Sequence, residues 1–418
     1  TDQAIAASEL TPLVQELVFG SLRHYFSLSH LVRSALHNPL KRKDRELMAL
    51  MIVGAYQLVH MRVARHAAIF ETVEACAALE RPWARGLVNA VLRKCAAAAD
   101  AAAAEGAPLE RSFEHPSWLE DALRQEYADA EAIMDANNCR APMALRINLA
   151  RTSPEAYLDS LEAAALPARL AQPDDESSAR DGSASWLGPE TRILLAPVPT
   201  SRLPGYREGL VAVQDAGAQV AANVMAPKPG ERLLDACAAP GGKLFHLMER
   251  HPEVELTALE KNPRRLAQLR EEGRRLGHEG FVSLAGDATA LDWWEGTPYQ
   301  HVLIDAPCSG TGTLRRHPDI KVLRKPEDIR SFADLQGRLL ANLWRVLAPQ
   351  GSLLYCTCSI LAAENDAVVG RFLDQQHDAV SKPLRLAAGR ATQHGWQLLP
   401  TGVDTDGFYY ARLSKAAG

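Results

Sequence analysis

Over residues 8–95 apolar positions recur at spacings of three and four, the period of helices that bury one face. Val14, Leu17, Val18 and Leu22 form one stripe; Leu47, Leu50, Met51, Ala55 and Leu58 form another, and residues 86–92 close the block. From 95 to 107 the chain is almost entirely alanine, the best helix former, which predicts a helical tether ending at Gly106 and Pro108. His115-Pro116-Ser117-Trp118 opens another amphipathic helix. Residues 143–149 alternate like a strand, and Ser153-Pro154-Glu155 offers an N-cap and an N1 proline for a helix to about Ala165. The stretch 171–191, rich in Ser, Asp and Gly, reads as loop. Past Gln214 strand-length apolar runs alternate with helical segments, which predicts parallel βαβ units. Strands are expected over 231–236, 255–260, 281–286, 301–305 and 352–357. The last run, 408–413, is expected to pair antiparallel at the sheet edge. The pattern predicts a multidomain protein: an all-α domain over 1–105, a small α+β domain over 113–210 and an α/β domain over 211–418.

Composition excludes more than it identifies. With 418 residues, 47% hydrophobic and 23% charged, the chain can bury two or three cores. No run of 18 or more apolar residues appears, so neither a membrane span nor a secretory leader is expected. Seven cysteines, an odd number without any CxxC spacing, predict free thiols in a cytoplasmic protein and no metal site. The net charge of −5 hides an uneven distribution. Residues 20–95 carry 12 Lys and Arg against 5 Asp and Glu, whereas residues 97–136 carry 2 against 10. A basic module beside an acidic segment is compatible with nucleic-acid binding, and equally with two solvated helix faces. Lys41, Arg42, Lys43, Arg62 and Arg65 are its candidate RNA contacts.

Chemistry concentrates in the α/β domain. Its first strand ends in Leu234-Asp235-Ala236-Cys237-Ala238-Ala239-Pro240-Gly241-Gly242-Lys243, a strand, a glycine turn and a helix start of the kind that holds a nucleotide cofactor against the backbone. Cys237 stands where a phosphate-binding Walker loop needs glycine, and GxGxxG is absent, so a pyrophosphate ligand is disfavoured. Glu260 ends the second strand, where a carboxylate can hold two ribose hydroxyls, and Asp287 ends the third, placed for an exocyclic amine. Acids at successive strand ends suit S-adenosylmethionine. The segment 301–312, HVLIDAPCSGTG, places Asp305 and Cys308 at the fourth strand end, and Cys358 follows the fifth. Carbon 5 of a pyrimidine becomes nucleophilic only after a thiolate adds at carbon 6, with an acid such as Asp305 near ring nitrogen 3. Both cysteines qualify, and a helix expected over 363–375 could favour a thiolate at Cys358 through its positive end. Buried filler is the competing reading for cysteines at strand ends, and it is the one adopted for Cys356. The loop after Cys308 is basic: Arg315, Arg316, His317 and Lys321 make an apron suited to a polyanion.

DAPCSGTG together with YCTCS and DACAAPGGK resembles the RNA cytosine-5 methyltransferase family, as do 314–325 (LRRHPDIKVLRK) and 406–410 (DGFYY). The helical front, with Gly86-Leu87-Val88-Asn89-Ala90-Val91-Leu92-Arg93, is similar to the NusB-like domain carried by the branch that acts on bacterial 16S rRNA. The resemblance implies a Rossmann-like class I methyltransferase fold, S-adenosylmethionine as cofactor and 16S rRNA as substrate. The sequence itself requires no protein partner, and a monomer is expected. It also implies that Cys358 attacks the base and Cys308 assists release. Asp235, residues 237–243, Glu260, Asp287 and Asp305 would hold the cofactor. Two departures stand out. The family's front domain starts with a further helix that this chain begins too late to contain, and Glu260 stands where aspartate is usual. A DNA cytosine methyltransferase, a tRNA or large-subunit enzyme, and an RNA-binding factor with a vestigial fold are the alternatives. Thr357-Cys358-Ser359 weighs against the first, the NusB-like front against the second, and the full set of acids and cysteines against the third.

Overall fold

The computed structural model describes residues 12–105, 114–171, 187–402 and 404–417. The expected absence of a first helix, the glycine stop of the tether and most of the 171–191 loop lie outside the described residues. Contacts divide the chain into two units, residues 1–139 with 314–324, and residues 140–313 with 325–418.

The first unit is helical: α1 (Pro12–Arg23), α2 (Tyr25–Ala35), α3 (Arg45–His60), α4 (Arg65–Ala78), α5 (Arg85–Glu105), α6 (Ser117–Glu126) and α7 (Ala130–Asn138). The second expected stripe becomes its core, with Leu47, Met51, Ala55 and Leu58 packed against Val88, Leu92 and Cys95; of the first stripe only Leu17 packs against that core, partly buried, and Val14 is exposed. The alanine tether is not a separate element. It continues α5, whose first turns bury Val88, Val91 and Leu92. Helices α6 and α7, expected within the middle domain, have their contacts in this unit.

The second unit holds two sheets. In the smaller one, β1 (Met143–Ile147), β2 (Ala168–Arg169), β3 (Thr191–Leu194) and β4 (Val211–Val213) run antiparallel in the order β2-β3-β1-β4. Helix α8 (Pro154–Ala163) packs Tyr157 and Leu161 into its core, and Ser153 caps it by accepting from the Ala156 N–H. Strand β3 starts at Thr191, the last residue of what reads as loop.

The larger sheet contains β5 (Arg232–Ala236), β6 (Glu255–Glu260), β7 (Val282–Ala285), β8 (Tyr299–Asp305) and β9 (Leu347–Thr357), all parallel in the order β9-β8-β5-β6-β7. Alternating side chains feed two cores: Leu233, Leu303 and Leu354 on one face, Leu234, Val302, Ile304 and Tyr355 on the other. Helices α9 (Ala216–Met225), α10 (Gly242–Arg250), α11 (Pro263–Leu276), α12 (Asp319–Leu323), α13 (Pro326–Trp344) and α14 (Asp366–Gln375) follow in the chain, with α12 falling in the first unit. One expectation needs correction. Phe408–Lys415, the last strand of the chain, is antiparallel to β9 but is not an edge. Ala379–Lys382 (β10) and Trp396–Leu398 (β12) both pair with it as β13, and Arg390–Ala391 (β11) extends the sheet beyond β12. These short strands satisfy the backbone groups an exposed edge would leave open. Strand order reverses at β5, between β6 and β8, so a crevice opens at the carboxyl ends there.

Candidate active site

The turn after β5 is shaped by its glycines. Gly241 has φ +109°, and a Cβ there would lie 2.2 Å from the Phe245 ring. Only glycine suits that backbone. Ala238 and Ala239 are buried beneath the turn, Pro240 follows a cis peptide, and Gly242 starts α10. From the smaller sheet, buried Arg146 donates to the Gly242 carbonyl (2.5 Å) and to Gln214 Oε1 (2.6 Å) while forking onto Glu249 (2.8 and 2.9 Å). The antiparallel sheet thereby braces the start of α10.

Next to this turn lies a cavity of about 690 Å³. Cys237, Glu260, Asp287, Pro307 and Arg338 are among its lining residues. Asp235 sits at the end of β5, 1% exposed, with Oδ1 making no hydrogen bond among the described residues. Burial and the nearby Asp305 carboxylate push its carboxyl well above the ordinary range. Glu260 accepts the Asn262 N–H through Oε1 (2.8 Å), while its buried Oε2 has no hydrogen-bond donor and lies 3.3 Å from Arg265 Nη1. Asp287 is already engaged: Oδ1 accepts from Thr289 N (2.9 Å) and Oγ1 (2.7 Å), Oδ2 from Lys261 Nζ (2.6 Å). The Lys261 bond and the Thr289 donors hold its carboxyl down at about 2. Burial pushes the Cys237 thiol up to about 12, helped by Asp305 and Asp235, so it is an inert wall of the cavity.

Sequence reading places Lys243 on the cofactor turn, but its ammonium turns to Asp305 Oδ2 at 2.7 Å. Burial alone would lower this amine; Asp305 holds it well above its usual value. Strands β8 and β9 are neighbours in register, Asp305 opposite Cys356. Their ends bring Cys308 and Cys358 together, Sγ to Sγ 3.3 Å. The bond to Cys358, burial and the charge of Glu364 all push the Cys308 thiol upward. Cys356 is wholly buried, its thiol directed at the Ile304 carbonyl, as a filler should be.

The expected helix after Cys358 begins only at Asp366, preceded by a single 3-10 turn over Ala362–Glu364. From that turn the Glu364 carboxylate, fully buried, folds back onto both cysteine loops. It accepts from Ser309 N (2.8 Å), Ser309 Oγ (2.5 Å), Ser359 Oγ (2.7 Å) and Gln336 Nε2 (3.3 Å). Thr311 Oγ1 lies 3.1 Å from Ser359 Oγ, and the Gly312 N–H donates to the Cys358 carbonyl at 2.9 Å. An anion, not a bare helix end, therefore borders the thiols. Glu364 carries no sequence signal that sets it apart from an ordinary acid in a first helical turn.

Of the candidate RNA contacts, Lys41, Arg42, Lys43 and Arg62 are exposed on the helical unit. Arg65 is exposed but forked onto Asp100. The apron reading fails for two residues. Arg315 is 5% exposed and Lys321 1%. Lys321 Nζ donates to the Arg23 carbonyl (2.8 Å) and Asn138 Oδ1 (2.7 Å), so it anchors α12 within its own unit rather than facing a polyanion. Its pattern position on a short basic segment hid that burial. Arg316 and His317 are half-buried.

Comparison with known proteins places this arrangement. Residues 222–414 match the family model described as 16S rRNA methyltransferase RsmB/F, residues 2–97 match the NusB family, and residues 115–176 match the ferredoxin-like domain of RsmF/B-like methyltransferases. The chain is 41% identical over 414 residues to Ribosomal RNA small subunit methyltransferase B of Pseudomonas syringae pv. tomato, covering 97% of this chain and 89% of that one. It is 42% identical to the protein of the same name from Xanthomonas campestris pv. campestris, over 97% of this chain and 89% of that one. Among solved structures, PH0851 superposes with TM-score 0.81 at 22% identity, covering 96% of this chain and 90% of that one. NSun6 from Pyrococcus horikoshii with SFG gives 0.60 at 20% identity, covering 72% and 99%. Both share the fold.

Proposed function

Because the chain belongs to the 16S rRNA methyltransferase RsmB/F family, an S-adenosylmethionine-dependent family, we propose that it methylates carbon 5 of one cytosine in 16S rRNA through a covalent bond to Cys358. The observation that carries this reading is the pair of thiols 3.3 Å apart at neighbouring strand ends, beside a carboxylate and a cofactor-sized cavity.

The cavity suits the cofactor on its own evidence. Glu260 lines it, with a buried Oε2 that makes no hydrogen bond and lies 3.3 Å from Arg265 Nη1, and ribose hydroxyls are donors of the required kind. Asp287 keeps acceptor capacity for an amine, since an ionised carboxylate offers about four lone-pair sites. When bound, S-adenosylmethionine supplies an electrophilic methyl group. The protein's own residues do the rest. The Cys358 thiolate adds to carbon 6, forming an S–C bond and loading carbon 5 with electron density. Asp305, ion-paired with Lys243 Nζ at 2.7 Å, is placed to meet ring nitrogen 3, which carries no proton in neutral cytosine and takes up the one Cys358 gives up on becoming a thiolate; the carboxylate then accepts the new N–H and favours the adduct. After transfer, Cys308, its own proton first lost to solvent, takes the carbon 5 proton as a thiolate; the electron pair re-forms the ring double bond and expels the Cys358 thiolate, which takes back the nitrogen 3 proton. The elevated Cys308 thiol is basic once deprotonated, as that later step requires.

Cys358→Ser should abolish turnover without any adduct, because an alkoxide is far harder to form than a thiolate. Cys308→Ser should form the adduct and release it slowly, leaving an enzyme–RNA complex that survives denaturing electrophoresis. A trapped complex with Cys358→Ser instead would reverse the roles.

A further inference from the structure

The carboxylate of Glu364 is fully buried, and every donor it meets among the described residues is a neutral N–H or O–H. Burying a charge without a cation is costly unless hydrogen bonds replace its hydration. Three of its four bonds come from Ser309 and Ser359, the residues that directly follow the two thiols. The fourth comes from Gln336 on α13, which also donates to the Pro307 carbonyl (2.9 Å), just before Cys308. The glutamate's own backbone is fixed as well, since the Tyr355 hydroxyl donates to its carbonyl at 2.7 Å. Two loops leaving two strands are thus tied to one anion held by a third element.

We propose that Glu364 is a positioning residue for the two-thiol reaction: its buried carboxylate fastens the residue after each cysteine and holds Cys308 and Cys358 at their working separation. The proposal rests on the two-cysteine reading above. Without the tie, the end of each loop would be set only by its backbone, and the thiols would sample wider spacings. A glutamine would keep one acceptor oxygen and put an amide NH2 where two hydroxyls now donate, so both hydroxyls would have to turn round and accept from a neutral group, a weaker clasp. Glu364 does not line the cofactor cavity, so loss of the clasp should spare cofactor binding. It should also leave the docking of RNA largely intact.

The test uses the full chain carrying Glu364→Gln and, separately, Ser359→Ala, which cuts one tie and leaves the carboxylate. Diamide takes one hydrogen from each thiol, becoming a hydrazine, and joins the sulfurs; the rate of Cys308–Cys358 bond formation therefore reports their spacing without any turnover. We expect crosslinking to slow severalfold or more in both variants. The kcat should fall roughly tenfold to hundredfold, the loss expected of a misplacement near 1 Å, with KM for rRNA and cofactor affinity by calorimetry unchanged. Wild-type crosslinking and kcat in the folded Glu364→Gln protein would overturn the proposal. If that protein does not fold, the same result in Ser359→Ala overturns it. Failure of the Cys308→Ser protein to trap RNA would count against the assignment of thiol roles instead, while the crosslinking comparison would still judge the clasp.

Discussion

Glu260 and Asp287 stand at consecutive strand ends yet meet the cofactor in different states. Glu260 keeps one buried oxygen without a donor, whereas both Asp287 oxygens are already engaged, and Lys261 holds the group ionised. Alanine at either position should weaken S-adenosylmethionine binding by about 1–3 kcal/mol, the range for a hydrogen bond to a charged group. The Asp287 contribution should also be insensitive to pH between about 4 and 8, because its carboxyl titrates near 2. Calorimetry across that range checks both points; unchanged affinity in the two variants would dismiss these acids as ligands. Geometry separates the cysteines: Cys308 and Cys358 meet Sγ to Sγ at 3.3 Å, whereas Cys237 lines the cofactor cavity.

At the scale of elements, α12 shows how a basic segment can be structural. Lys321 is enclosed, and burial lowers its amine to about 7, a shift that Arg23 reinforces and Glu114 partly opposes. In the unfolded chain the same amine titrates near about 10.4. Between those values the unfolded state holds a proton the folded state has shed, so the Lys321 contribution to stability rises with pH from about 7 to about 10. Below about 7 both states are protonated and the contribution is flat, at its least favourable. The difference in melting temperature between wild type and Lys321→Met should therefore change steadily across this window. A constant difference would mean the amine stays charged in the fold. The pairing of β10 and β12 with β13, and of β11 with β12, belongs to the same scale: short strands with little periodicity of their own exist because a neighbouring strand offers them unpaired backbone groups.

Taken whole, the chain is mildly acidic while residues 20–95 are strongly basic. The exposed Lys41, Arg42 and Lys43 cluster is the part of that surface best suited to phosphates, whereas Arg65 is committed to Asp100. We expect rRNA affinity to fall steeply with salt, since each neutralised phosphate releases counterions. Replacing the three residues together by glutamine should lower both the affinity and the slope of its logarithm against the logarithm of salt concentration. If filter binding over a salt series shows neither change, docking lies elsewhere. Among the described residues no helix is long and apolar enough to cross a membrane.

What local pattern dictates was legible before any coordinates: helices from three-four spacing, parallel strands from short apolar runs, and strand-end acids and thiols from the residues that terminate those runs. These depend on neighbours in sequence, and the five parallel strands fall within a few residues of where the pattern puts them. The RsmB/F membership follows from the same local motifs. Long-range contact decided the rest. No periodicity could show that Lys321 would be enclosed and Lys41 left in water, since the two sit in equally basic segments and differ only in what packs over them. Nor could spacing show that Lys243 turns from the cofactor turn to Asp305, across 62 positions of chain. The spacing of the thiols has the same origin: 50 positions part Cys308 from Cys358, and they meet because β8 and β9 pair in register and one buried glutamate, with no distinguishing neighbours in sequence, draws both following serines to itself.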